Sequence, residues 1–296
     1  QLVGVAQGSR ALRQQGLGAG SCTRLLVYAG SLTRGRVARR GSCEMALARA
    51  LTDDPDLGAA LGQLVDAHFP WAAMCRADAD TPTLAVLGLL LGGLSRRTLT
   101  LQTLAGTSPS PSAAPRAVLS TTHLLLPAVV MQDATLARAA IAHAAAHLLY
   151  SSQAQSAGTL KPLGLAVASM VEDARVEALL MQRLPGVRRW FLQAQPAHDP
   201  HGLDVPSLLA RLGRALLDGH YADGNHWVHK GRTLFAATRH DHGLADHAAF
   251  RRLASIFAND LGQMRVRLDP QQCVVPAAYR DDHSYLWQHG ATHCCG

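Results

Sequence analysis

Two histidines four residues apart are the first sign of chemistry. His143 and His147 lie in the run Ile141-Ala-His143-Ala-Ala-Ala-His147-Leu. On a helix, positions i and i+4 stack on one face, so two imidazoles reach the same point and can share one metal ion. Zinc peptidases carry this spacing as HExxH, where the glutamate after the first histidine is the general base. Here that position is Ala144, so water activation by that route has no base.

A second group follows in Val171-Glu172-Asp173-Ala-Arg175-Val-Glu177. Glu172 or Asp173 could supply a carboxylate to the two histidines, and Glu172 is the candidate third ligand. A plainer use competes with it. Asp173 and Glu177 share a helix face, and Arg175 can bridge to a neighbouring element, which together make a structural polar network. With Ala144 in the base position, the expectation is no catalytic residue, no bound metal and no cofactor. His143, His147 and Glu172 are the residues that would hold zinc in the alternative, a metallopeptidase-like protein.

Other histidines are less specific. Eight fall between His198 and His247, including His226-Trp-Val-His229 and His240-Asp-His242, with spacings that fit no single metal template. They read as surface residues. The tail His289-Gly-Ala-Thr-His293-Cys294-Cys295 resembles a ligand set but stands where chains fray. The sequence contains no GxxxxGK[ST], GxGxxG or GxSxG, and Asp282-His-Ser284-Tyr-Leu286 fails the metal-adhesion pattern DxSxS at its last position.

The elements that must position these groups are mainly helical, with a few short β-strands. Helices are expected over 43–51, 55–68 (opened by Pro55), 83–104, 134–150 (capped by Asp133), 161–184 and 245–263, with a further one opening at Pro206. The Val/Thr/Leu-rich run 117–126 reads as a strand, and 274–276 as a short one. The Ser/Pro segment Thr107–Arg116 breaks any helix. It divides the chain into a helical region 1–106, a linker 107–116 and a helical domain 117–296. The strip Tyr279–Trp287 holds two Tyr and one Trp where aromatics are only 5% of the chain, and is expected to pack on the helical body. Arg280, Asp281, Asp282 and Trp287 are its interaction residues.

Composition narrows the class. Hydrophobic residues are 48% and charged residues 17% of the 296, which excludes disorder. The net charge of +7 is carried by Arg, with Lys only at Lys161 and Lys230. The densest group, Arg34, Arg36, Arg39 and Arg40, has no aromatic beside it, so no nucleic-acid partner is expected. The six cysteines form no CxxC pair, and no secretory signal is present, which points to a cytoplasmic chain. The most apolar run, Leu84–Leu94, is too short for a membrane span. The chain opens at Gln1, consistent with a fragment or a truncated product.

Three stretches in order give the chain a family look: HAAAHLLY (143–150), LKPLGLAVASMVEDARVEALLMQRLPGVRRWF (160–191) and NDLGQMRVRLDPQQCVVPAAYRDDHSYLW (259–287). They resemble the NorD/CbbO family of nitric oxide reductase and Rubisco activation proteins, over roughly 117–287. The resemblance implies a non-catalytic adaptor that pairs with a MoxR-type AAA+ ATPase to remodel a client enzyme, Rubisco or nitric oxide reductase. It also implies a C-terminal von Willebrand factor A domain, which this sequence does not reach.

Overall fold

The computed structural model describes residues 2–11, 23–34, 42–43, 46, 49–68, 83–104, 116–158, 160–195, 201–266, 268 and 277–288. The fold is mainly α. The helices are α1 (Leu2–Ala11), α2 (Thr23–Arg34), α3 (Arg49–Leu51), α4 (Pro55–His68), α5 (Leu84–Ser95), α6 (Ala128–Gln132), α7 (Ala134–Tyr150), α8 (Pro162–Arg183), α9 (Val187–Gln193), α10 (Val205–Leu217), α11 (His226–His242) and α12 (His247–Gln263). Among the described residues, five short strands accompany them: β1 (Thr100–Leu104), β2 (Val118–Leu119), β3 (His123–Pro127), β4 (Gln155–Ser156) and β5 (Trp287–Gln288).

The helix α7 is the most enclosed. Asp133 caps it by accepting from the Thr135 and Leu136 amides. Seven alanines between Ala137 and Ala146 are buried, together with Ile141, so the helix is apolar on every side. Small side chains let α5, α8 and α9 approach it closely. The longer α8 starts with Pro162 at its first turn, where the missing amide hydrogen costs nothing, and packs against α7, α10 and α12.

The expected helix over 83–104 ends early. Arg96 adopts a left-handed conformation (φ 63°), and the buried Ser95 hydroxyl bonds the Leu91 carbonyl, which closes α5. The Thr-rich run beyond it is β1, which pairs in parallel with β3 from Thr100–His123 to Leu104–Pro127. β2 pairs antiparallel with β3, giving the order β1-β3-β2. Strand pairing thus joins residues on both sides of the Ser/Pro segment. That segment lies outside the described residues except for Arg116, as do the expected strand at 274–276 and residues 44, 45, 47 and 48 of the expected helix over 43–51.

In the first 68 residues, α1 packs on α2 and α4, and α2 packs on α5. Two glycines permit the first contact. A Cβ at Gly4 would sit 2.4 Å from the His68 ring, and one at Gly8 would sit 2.4 Å from Leu64. Among the described residues, no helix is long and apolar enough to cross a membrane.

Residues 277–288 lie across the helical body. Ala277, Tyr279, Tyr285, Leu286 and Trp287 are buried. β5 pairs in parallel with β4, and the Asp282 amide donates to the Ala117 carbonyl. The Trp287 indole donates to Ser169 Oγ at 2.8 Å, and Arg251 stacks over its ring at 4.6 Å.

Candidate functional site

The buried side chains of α7, α8 and the 277–288 strip converge on one ionic centre. His143 and His147 come from α7, Asp173 and Glu177 from α8, and Tyr279, Arg280, Asp281 and His283 from the strip. Spacing explains the first four: i, i+4 pairs on two facing helices put two imidazoles opposite two carboxylates. Seven of the eight are almost wholly enclosed, and His283 is 11% exposed.

Each histidine of α7 is held from behind. His143 Nδ1 lies 3.0 Å from Glu177 Oε1. His147 Nδ1 lies 2.9 Å from Ser151 Oγ, whose own hydrogen goes to Glu172 Oε1 at 2.6 Å. Ser151 has one hydrogen and has used it, so it accepts from His147 Nδ1–H. Both Nε2 atoms therefore point inward. His147 Nε2 is 3.1 Å from Asp173 Oδ1. His143 Nε2 is 3.5 Å from Asp281 Oδ1 and 3.9 Å from Asp173 Oδ1, and has no hydrogen-bond partner among the described residues. Neither carboxylate oxygen of Asp281 has one either.

The remaining charges are arranged around this core. Arg280 reaches Glu177 twice, at 3.1 and 3.0 Å, and Asp173 Oδ2 at 3.5 Å. His283 Nε2 is 3.1 Å from both oxygens of Asp173, on a residue with a left-handed backbone (φ 63°). Tyr279 donates to Glu177 Oε1 and accepts from Gln195.

Burial and charge pull against each other here. Burial alone would lower the pKa of His143, but Asp281 and Glu177 outweigh it and push it up to about 9. For Asp173, burial is overcome by His283 and Arg280, and the carboxyl is held well below its usual range. Glu177 is lowered against its burial by Arg280, and Asp281 against its burial by His143.

Of the residues singled out in the sequence, Glu172 does not join this centre. It pairs with Arg175 through two bonds of 2.7 Å and receives Ser151. The acid opposite His143 and His147 is its neighbour Asp173. Arg175 also donates to the carbonyls of Leu244 and Tyr150, which ties α8 to α7 and to the turn before α12. Asp282 is exposed and receives the Ser284 amide. Sequence reasoning missed His283 altogether and placed Asp281 with the strip and not with the histidines. No local spacing signals either, because both arrive from over a hundred positions away. The histidines of α11 stay at the surface; His240 is 89% exposed.

The comparisons with known proteins concern a different part of the chain. Residues 1–68 match the family described as CbbQ/NirQ/NorQ C-terminal. Over 61 residues the chain is 56% identical to "Protein CbbQ" of Hydrogenophilus thermoluteolus, covering 21% of this chain and 23% of that protein. The chain therefore spans about a quarter of the length of the curated relative it matches. No solved structure matches.

These findings correct the expectation built on the NorD/CbbO resemblance. The matched group is the MoxR-type AAA+ ATPase of the pair and not its activator. The three stretches that suggested the activator family all lie beyond residue 68, where no comparison supports them. The adaptor role, and the classification as a non-enzyme, fall with it.

Proposed function

We propose that this protein works as part of a MoxR-type AAA+ ATPase of the CbbQ/NirQ/NorQ group, with residues 1–68 as its C-terminal helical module. The observation that carries this is the match of residues 1–68 to the family's C-terminal region, with 56% identity to Protein CbbQ over 61 residues beside it. Support comes from the packing: α1 lies against both α2 and α4, and this segment meets the rest of the chain where α2 packs on α5 and α3 on α9. A phosphate-cradling GxxxxGK[ST] loop is not among these 296 residues. Residues 1–68 would then seat against a nucleotide-binding module that carries that loop, and a cytoplasmic setting follows for an ATP-driven machine. Its client is an enzyme such as Rubisco or nitric oxide reductase.

The test is assembly with the phosphate-loop module of a CbbQ protein, followed by ATP hydrolysis. The full chain is expected to bind that module and change its hydrolysis rate. A Gly4→Val variant, whose side chain crowds the His68 ring of α4, is expected to lose both effects while the packing of α7 on α8 is kept. A full chain that neither binds the module nor alters hydrolysis would exclude the proposal.

A further inference from the structure

We infer that His143, His147, Asp173 and Asp281 form a closed site for one divalent transition-metal ion, which clamps the 277–288 strip onto α7 and α8. This departs from the sequence expectation that no metal is bound. That expectation rested on the missing base at Ala144 and the lack of a clear third ligand, and the folded chain brings in Asp173 and Asp281 where Glu172 was the candidate. The inference concerns the helical body and is independent of the ATPase proposal.

The geometry is the first argument. One ligand atom from each of the four residues lies within 4.8 Å of all the others, and all four residues are buried. The pairs at 3.1, 3.5 and 3.9 Å are close to the edge of a tetrahedron with bonds of ~2.0–2.1 Å, which is about 3.3 Å. Two imidazoles and two carboxylates suit zinc and its first-row neighbours.

The hydrogen-bond directions are the second. Ser151 and Glu177 take the Nδ1–H of the two histidines, so each Nε2 lone pair is turned toward a carboxylate. Lone pair against carboxylate repels unless a proton or a metal cation lies between them, and a metal ion is the one partner that serves all four residues at once. Backing a ligand histidine with an acceptor at its other nitrogen is how metal sites fix the tautomer and raise ligand basicity. Glu177 does this directly, and Ser151 does it as a relay to Glu172.

Charge is the third. Among the described residues, Asp173, Glu177 and Asp281 bring three buried carboxylates against the guanidinium of Arg280 and the His283 imidazole, so the acids outnumber the fixed cation whether or not His283 carries a proton. One divalent ion offsets the excess of carboxylates with both α7 histidines neutral, and it gives the unpartnered atoms of His143 and Asp281 a common partner. His283, held by a strained backbone, then serves to orient Asp173. All four positions are filled by protein, which marks a structural ion and not one that activates water.

The experiment uses the full chain after chelator treatment, with Co²⁺ as the probe. Uptake of one Co²⁺ per chain with a four-coordinate visible spectrum is expected, along with a rise in melting temperature. Asp281→Asn and His147→Gln should each weaken uptake by more than the ~10–100-fold that follows loss of a supporting group. Cys294→Ser with Cys295→Ser should leave it unchanged, because the four ligands are two imidazoles and two carboxylates. Should the two ligand variants not fold, X-ray absorption of the Zn²⁺-loaded wild type decides, with nitrogen and oxygen ligands including two imidazoles expected. The inference is overturned by a folded wild type that takes up no metal, by sulfur ligation, or by uptake unchanged in both ligand variants. In the first case two protonated histidines fill the place of the ion.

Discussion

Glu177 and Arg280 face each other in full burial, with Nη2 3.0 Å from Oε2 and Nε 3.1 Å from Oε1. Removing one member leaves the other as an uncompensated buried charge, which typically costs ~3–5 kcal/mol. Arg280→Ala is therefore expected to lower unfolding stability by about that amount, and more than Arg188→Ala, whose pair with Asp53 is a third exposed. Urea titrations of the two variants check it. Equal losses would show that Arg280 does not neutralise the acids of α8.

A second ion pair gives an acid-range signature. Arg211 grips Asp223 with Nε and Nη2, and Tyr221 donates to the same carboxylate. Burial alone would raise the carboxyl's pKa, but these partners bring it down to about 2. A carboxylate depressed on folding contributes stability above its unfolded pKa of about 3.9 and loses it as pH falls through the folded value. The window is pH 4 down to 2, and the contribution is roughly 2 kcal/mol. Compared with wild type, Asp223→Asn should show a flatter loss of stability across that window, as read from urea midpoints at several pH values. Parallel curves would rule the pair out.

The approach of α1 to α4 depends on glycine. A methyl at Gly4 meets the His68 ring at 2.4 Å, well inside van der Waals contact. Gly4→Ala gains helix propensity of about 1 kcal/mol yet must displace the His68 ring from its contact with the Leu64 carbonyl, and overpacking of this kind typically costs ~1–3 kcal/mol. The expected outcome is net destabilisation with faster amide exchange in α1 and α4, and unchanged exchange in α7. A stabilised variant would mean the two helices do not pack as described.

Trp287 fastens the strip at its far end. Replacing it with Ala removes the ring under Arg251 and the bond to Ser169, and a buried Trp→Ala change typically costs ~3–5 kcal/mol. Limited proteolysis at Arg280 should be slow in wild type, because that side chain is enclosed, and fast in Trp287→Ala. Rapid cleavage of the wild type would contradict the packed strip.

Local patterns made much of the helical frame legible. Asp133 and the alanine run announced α7, Pro55 announced α4, and Pro162 with the break at Pro185 announced α8. β1 was absorbed into a helix because Leu-rich sequence continues through Leu104, and only the αL turn at Arg96 separates the two. α11 was passed over because its polar, histidine-rich face hides its periodicity, although Asn225 caps it plainly. The site was half legible. The i, i+4 pairs gave His143, His147, Asp173 and Glu177. The other half depends on tertiary folding, which no spacing encodes.

The distance along the chain between the two halves of the ionic centre has a consequence for synthesis. Tyr279, Arg280 and His283 meet α8 across 102, 103 and 110 positions. At about 5–20 residues per second, α7 and α8 leave the ribosome roughly 5–20 seconds before their counter-charges do. During that interval two buried acids and two histidines face each other without Arg280, so the helix pair has reason to stay open to water. Closure is then a late event that waits for residues 279–283. A ribosome stalled before residue 277 would hold a chain with most of its helices but without its locked core.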